Sequence, residues 1–195
     1  MAEELKVDSA ARPVKDKVHT SAVCIIPPDD LAGPIQAIRA VHDKHIKRWM
    51  PHVNLLYPFV PDTQFDEAVK RLTAGLAEVA PFEVSLDQFG TFNHGRSSVL
   101  WLQPSAQNKA VHQLQHALEQ VYPQCNDLSV ISDAGFSPHL TVGQIGSTQI
   151  EHTKNKFQAN WKPITFMVDH VCLISRSDVN DPFHIRHRVP LGKKA

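Results

Sequence analysis

Apolar and polar positions run along this chain in two rhythms, and the switches between them mark the elements. Residues 19–26 read as a strand closed by Pro27-Pro28. Asp29 or Asp30 can cap a helix whose apolar positions Ile35, Ile38, Ile46 and Trp49 share one stripe, with Pro51 as its stop. A short strand over 52–59 ends among Pro58 and Pro61. The helix over 64–79 carries Phe65, Val69, Leu72, Leu76 and Val79 on one face. Two strand-like runs follow, 82–92 and 98–102, joined by a turn of Asn93, His94 and Gly95. A helix over 108–122 turns Val111, Leu114, Leu118 and Val121 inward, and 126–135 is irregular. A short strand over 139–145 leads into a polar helical segment over 149–161. The runs 164–175 and 183–189 close the chain as an antiparallel pair around the turn 176–182.

One order of elements occurs twice: strand, helix, short strand opening on Pro-His, first over 19–57 and again over 98–145. The predicted class is therefore α+β: a bilobal pseudo-two-fold with two antiparallel sheets backed by helices and a cleft between the lobes. Length fits one domain over 19–195, preceded by a loose, charged tail over 1–18.

Composition narrows the function classes. Lys plus Arg and Asp plus Glu number 20 each, so the formal net charge is zero. Extended coating of a nucleic acid would call for a basic excess, whereas a nucleotide or one RNA end needs only a local pocket. Cys24, Cys125 and Cys172 form no CxxC and are odd in number, which suits free thiols in a reducing compartment. The polar N-terminal stretch lacks the apolar core of a secretory signal, and no apolar run approaches the roughly 20 residues that span a bilayer. The expectation is a soluble monomer, cytoplasmic or nuclear, without a membrane partner.

The chemistry sits in two segments, Pro51-His52-Val53-Asn54-Leu55 and Pro138-His139-Leu140-Thr141-Val142. Side chains alternate faces along a strand. His52 and Asn54 therefore point one way and Val53 and Leu55 the other, and His139 and Thr141 oppose Leu140 and Val142 in the same manner. If the lobes face one another, two imidazoles meet across one cleft. An unperturbed imidazole titrates near pH 6.5, so one can take a proton from water while the other donates one to a departing oxygen. The Thr141 hydroxyl and the Asn54 amide can donate to phosphate oxygens as charge builds on them.

At these residues the chain resembles the 2H phosphoesterase superfamily, also called the 2′-5′ RNA ligase-like or cyclic phosphodiesterase family, which is defined by two His-x-Ser/Thr motifs. RWMPHVNLLYPF resembles its first motif and FSPHLTVGQ its second. The resemblance implies a bilobal α+β fold, no required metal or cofactor, and hydrolysis of 2′,3′-cyclic or 2′-5′ phosphodiester bonds of nucleotides or RNA ends. It also implies that His52 and His139 are the catalytic pair and Asn54 and Thr141 the phosphate binders. Asn54 stands where the family has Ser or Thr, and Gln144 where members often carry a basic residue.

Other readings compete. A non-catalytic nucleotide- or RNA-end-binding module on the same fold would use the same pocket without turnover. His112 and His116, four apart on a helix, have the spacing of metal ligands, but they sit opposite the apolar face and read as solvated. His42 and His45 read as packing residues beside the first helical stripe. His184, Arg186 and Arg188 alternate on the last strand and, with Lys44, Lys47 and Arg48, could supply positive potential or merely guard an edge. Of the aromatics Tyr57, Phe89 and Phe92, Tyr57 falls by parity in the core and Phe92 is the candidate to stack a base.

Overall fold

The computed structural model describes residues 17–192. Chain order runs β1 (Ser21–Ile25), α1 (Gly33–His42), β2 (Val53–Leu56), α2 (Phe65–Gly75), β3 (Phe82–His94), β4 (Ser97–Ser105), α3 (Ala110–Val121), the single turn α4 (Asp127–Val130), β5 (Leu140–Gly146), α5 (Ile150–Asn160), β6 (Ile164–Val168), β7 (His170–Ser175) and β8 (His184–Pro190). The strands lie in the order β6-β3-β4-β5-β2-β1-β7-β8, every neighbour antiparallel. The repeated unit is β1-α1-β2 and β4-α3-β5. Its two closing strands β2 and β5 lie side by side at the centre, so the order reads the same from either edge. The α+β class and the pseudo-two-fold are as expected. Where two sheets were expected there is one: the two four-stranded halves join through one paired position, Val53 opposite Leu140, into a continuous eight-stranded sheet.

Burial explains the alternation. Val53, Leu55, Leu140 and Val142 enter a core shared with Ile35 and Ile38 of α1, Leu72 of α2 and Leu114 and Leu118 of α3. Each repeat's helix packs on the other repeat's central strand, α1 on β5 and α3 on β2. Gly143 permits the first approach, since a Cβ there would stand 2.5 Å from the His42 Cβ. On the opposite sheet face, Ala22, Cys24, Cys172, Ile174 and Phe183 form a second apolar cluster with Trp49 and Tyr57. That cluster is why β1 is buried on both faces.

Three further expectations change. The helix expected to reach Trp49 ends at His42, because the Asp43 carboxylate accepts the His45 backbone N–H (2.9 Å). Such an Asx turn offers the backbone an alternative to helix. The run 164–175 is not one strand: it breaks at Asp169, with β6 on the outer edge beside β3 and β7 between β1 and β8. The alternately buried ITFMV suits an edge, and the almost wholly buried HVCLIS suits a strand covered on both faces. The stretch expected to be irregular contains α4.

The expected tail lies outside the described residues over 1–16. At its inner end Val18 bridges Phe59, and Lys17 Nζ meets Asp127 Oδ2 at 2.5 Å. Among the described residues no helix is long and apolar enough to cross a membrane.

Candidate active site at the junction of the halves

The register that sets Val53 against Leu140, extended by one residue each way, aligns His52 with Thr141 and Asn54 with His139. All four side chains share the face away from the main core. Each is half-buried, while Val53, Leu55, Leu140 and Val142 are buried. Three of the four predicted residues, His52, Asn54 and Thr141, line one cleft, and His139, outside that lining, lies near enough to bear on His52 electrostatically.

Both central strands also carry the same irregularity. In β2, Cys24 pairs with Asn54 and Val23 with Leu56, leaving Leu55 bulged. In β5, Trp101 pairs with Thr141 and Leu100 with Gly143, leaving Val142 bulged. A bulge flips the parity of the residues beyond it. It returns Gln144 to the site face beside Val99, and it turns Tyr57 to the second apolar cluster instead of the main core.

Each imidazole is fixed in the same way. His52 Nδ1 lies 2.8 Å from the Met50 carbonyl oxygen, and His139 Nδ1 lies 2.8 Å from that of Ser137. A carbonyl only accepts, so Nδ1 carries the hydrogen and Nε2 presents its lone pair when the ring is neutral. Asn54 Nδ2 stands 3.2 Å from His52 Nε2, and its Oδ1 accepts from the Cys24 thiol at 3.1 Å.

The surroundings of the two rings differ. His52 lies under the Trp49 indole, centroids 4.4 Å apart and planes 16° from parallel. Burial pushes its pKa down to about 4. The Arg39 guanidinium and His139 push the same way, and the Met50 carbonyl and Asp43 oppose them. His139 stands perpendicular to Phe92 (4.9 Å between centroids) and tilted against Trp101 (6.2 Å). Burial lowers its pKa, opposed by its hydrogen bond to Ser137. Phe92 and Trp101 form one aromatic wall, 4.9 Å between centroids, with the indole laid across Gly90 where any Cβ would collide with it.

Arg39, Asp43 and Trp49 are site-lining residues that sequence reasoning did not find, and Gln144, noted there only as a departure from the family's basic residue, lines the site with them. With Lys44, His45, His52, Asn54, Val99 and Thr141 they surround a cleft of about 310 Å³. Arg39 is 2% exposed; its Nε donates to Asp43 (2.9 Å), Nη1 to Gln36 (3.0 Å) and Nη2 to the Trp49 carbonyl (2.8 Å). Gln144 joins the same turn, donating to Asp43 (3.3 Å) and accepting from the Lys44 backbone N–H (3.1 Å). The charged pair therefore holds the segment that lays Trp49 on His52. The available signal was an arginine on the apolar stripe of α1 with an aspartate four residues on.

Several other candidates fall elsewhere. Phe89 is buried against Phe157 and Trp161. His42 packs edge-on against Phe157, 5.6 Å between centroids. His45 does line the cleft, but its ring contacts Arg48, and burial with that cation lowers its pKa. His112 and His116 are exposed. No three His, Cys, Asp or Glu side chains among the described residues gather as metal ligands. A bulge at Arg186 splits the expected basic row: Arg188 pairs with Cys172 and His184 with Ser175, on opposite faces.

The model of the 2′-5′ RNA ligase superfamily matches residues 27–180. The chain is 25% identical over 125 residues to a protein of Geobacillus kaustophilus (strain HTA426) provisionally named a phosphoesterase, covering 63% of this chain and 67% of that one. Among solved structures, Escherichia coli LigT with 3′-AMP superposes with a TM-score of 0.61 at 19% identity, over 90% of this chain and 99% of LigT. LigT with phosphate gives 0.59 at 18%, over 91% and 100%. TT0787 of Thermus thermophilus gives 0.57 at 16%, over 89% and 99%. The match spans both motif strands and most of the fold between and around them, and the chain belongs to the 2′-5′ RNA ligase superfamily, the 2H phosphoesterases.

Proposed function

We propose that this protein is a metal-independent phosphodiesterase that hydrolyses 2′,3′-cyclic or 2′-5′ phosphodiester bonds of a nucleotide or an RNA end. The observation that carries the reading is the pair of matched imidazoles at the openings of adjoining strands, each with Nδ1 tied to a carbonyl so that Nε2 is the nitrogen that can take or give a proton. LigT was crystallised with phosphate and with 3′-AMP, which supports a phosphate or nucleotide ligand on this fold.

In the proposed reaction His52 is the base. Its pKa near 4 keeps the ring neutral, and Nε2 removes a proton from water. The new hydroxide attacks phosphorus, and the bond to the ribose 2′ or 3′ oxygen breaks. His139 gives that oxygen a proton and becomes neutral, and solvent restores both rings. The phosphate's own negative charge raises the His139 pKa on binding, which supplies the imidazolium the step needs. Asn54 Nδ2 and Thr141 Oγ1 donate to the non-bridging oxygens, while Phe92 and Trp101 offer a face for the base.

The direct test is a panel of 2′,3′-cyclic nucleotides and 2′-5′ dinucleotides in the presence of a chelator, with products identified by chromatography. Turnover to a nucleoside monophosphate is expected. Binding without turnover across the panel would make the protein a nucleotide-binding module, and activity lost to the chelator would overturn the metal-free mechanism.

A further inference from the structure

The two halves meet the phosphate with different chemistry, a hydroxyl from Thr141 and an amide from Asn54. A hydroxyl is one atom that turns its hydrogen wherever an acceptor lies. An amide has a donor end and an acceptor end, and the wrong end would aim a carbonyl oxygen at an anion. Asn54 therefore needs something to fix its orientation that Thr141 does not.

The directions of the neighbouring hydrogen bonds fix it. The Met50 carbonyl accepts, so His52 Nδ1 donates and Nε2 of the neutral ring accepts. Only the Nδ2 end of Asn54 can satisfy Nε2 at 3.2 Å, which leaves Oδ1 facing Cys24 Sγ at 3.1 Å. The thiol must then be the donor. Burial keeps it protonated, holding its pKa well above the ordinary thiol value. Four groups form one chain of fixed polarity: thiol to amide oxygen, amide nitrogen to imidazole, imidazole to carbonyl. Cys24 lies directly opposite Asn54 in the β1–β2 register, so the contact is built into the strand pairing.

We infer that Cys24 is a positioning residue for the active site: its thiol locks the Asn54 amide with the N–H end toward His52 and the substrate phosphate. The thiol touches neither substrate nor imidazole and acts only through Asn54. Without it the amide can turn over, offer its oxygen to a protonated His52, and so favour the imidazolium. The other charged or titratable groups facing His52 are Arg39 and Asp43 from the end of α1 and His139 from the mouth of β5. None of them changes when Cys24 does.

The inference rests on the reading of His52 as the base, so its test includes a measurement that needs no turnover. Cys24→Ala, Cys24→Ser and Cys172→Ala are compared, each with and without Asn54→Thr. The His52 pKa is followed by NMR of the labelled imidazole, and kcat/KM on a 2′,3′-cyclic nucleotide is measured alongside. A lost neutral hydrogen bond is worth about 2- to 10-fold in an equilibrium. Cys24→Ala should therefore raise the His52 pKa by about 0.3 to one unit and lower kcat/KM by a similar factor. Cys24→Ser should recover most of both. Cys172 lies across from Cys24 on β7 in the same apolar cluster, so its loss reports general packing. Cys172→Ala should leave the His52 pKa in place. In the Asn54→Thr background, where no amide needs orienting, Cys24→Ala should have no effect on the pKa. An unmoved His52 pKa in Cys24→Ala, equal shifts from Cys24→Ala and Cys172→Ala, or an undiminished effect with Thr at 54 would each overturn the inference. A chain that turns over no cyclic nucleotide but still shows the pKa pattern would sink the proposed reaction and keep the lock.

Discussion

Set side by side, the two central strands are near copies with different neighbours. Each opens on Pro-His, bulges one residue after its Asn or Thr, and pins its imidazole by Nδ1 to a carbonyl two residues back. Yet His52 sits flat under Trp49 beside a buried Arg39–Asp43 pair, whereas His139 stands perpendicular to Phe92 and tilted against Trp101. Backbone geometry delivers two equivalent imidazoles, and the neighbouring side chains separate their proton affinities. Environments that push two titratable groups apart are what assign acid and base.

The largest expected effect comes from removing either ring. His52→Ala and His139→Ala should each lower kcat/KM about 10²–10⁴-fold with little change in thermal midpoint. A nitrophenyl phosphodiester, whose leaving group needs no proton, separates the roles. It should restore most of the activity of His139→Ala and none of that of His52→Ala, and the reverse result would exchange acid and base.

Next comes the support on one side only. Arg39→Met strands the buried Asp43 carboxylate, and losing one partner of a buried pair costs about 3–5 kcal/mol. Urea denaturation should show that loss, with activity falling in the folded fraction as Trp49 loses its anchor. A variant as stable as the parent would mean that the pair does not hold the turn.

The pH profile tests the comparison more gently. His52 must be neutral and His139 charged, and both pKa values lie below the ordinary 6.5, His52 near 4. The bell in kcat/KM should therefore peak on the acid side of pH 6.5, falling below about 4 as His52 gains a proton and on the alkaline side as His139 loses one. The same shifts imply that folding stability is complete above pH 6.5 and declines from there toward pH 4, because the folded state binds those protons less readily than the unfolded chain. A peak in kcat/KM above pH 7 would contradict the assignment. The smallest effect is Phe92→Leu. It should raise KM several-fold with kcat nearly unchanged if the ring stacks a base, and equal KM values would remove Phe92 from the substrate site.

Legibility followed the range of the interactions. His52, Asn54, His139 and Thr141 could be placed because period-two alternation and a repeated order of elements are local, and both survive folding. Tyr57 escapes its parity because a bulge at Leu55 depends on how β1 pairs with β2, which no local pattern records. Arg39 and Trp49 were hidden by a periodicity that continued past the true helix end. Asp43 ends that helix by turning its carboxylate onto His45 N–H, a choice stabilised by Arg39 and by Gln144 on a distant strand. The split of 164–175 across two places in the sheet was likewise decided by partners far along the chain, although the change from alternating ITFMV to continuously apolar VCLI carried a trace of it.

The crossing of α1 onto β5 and of α3 onto β2 makes this duplication interlocked. A fragment ending near residue 106 would leave β2 without the helix that roofs it, and the complementary fragment would leave β5 equally bare. Neither could hide its oily surface alone, so a chain severed at that connection should recover structure only when both pieces are present. The paired imidazoles therefore exist only in the assembled whole, because the unit that carries each one borrows its cover from the other.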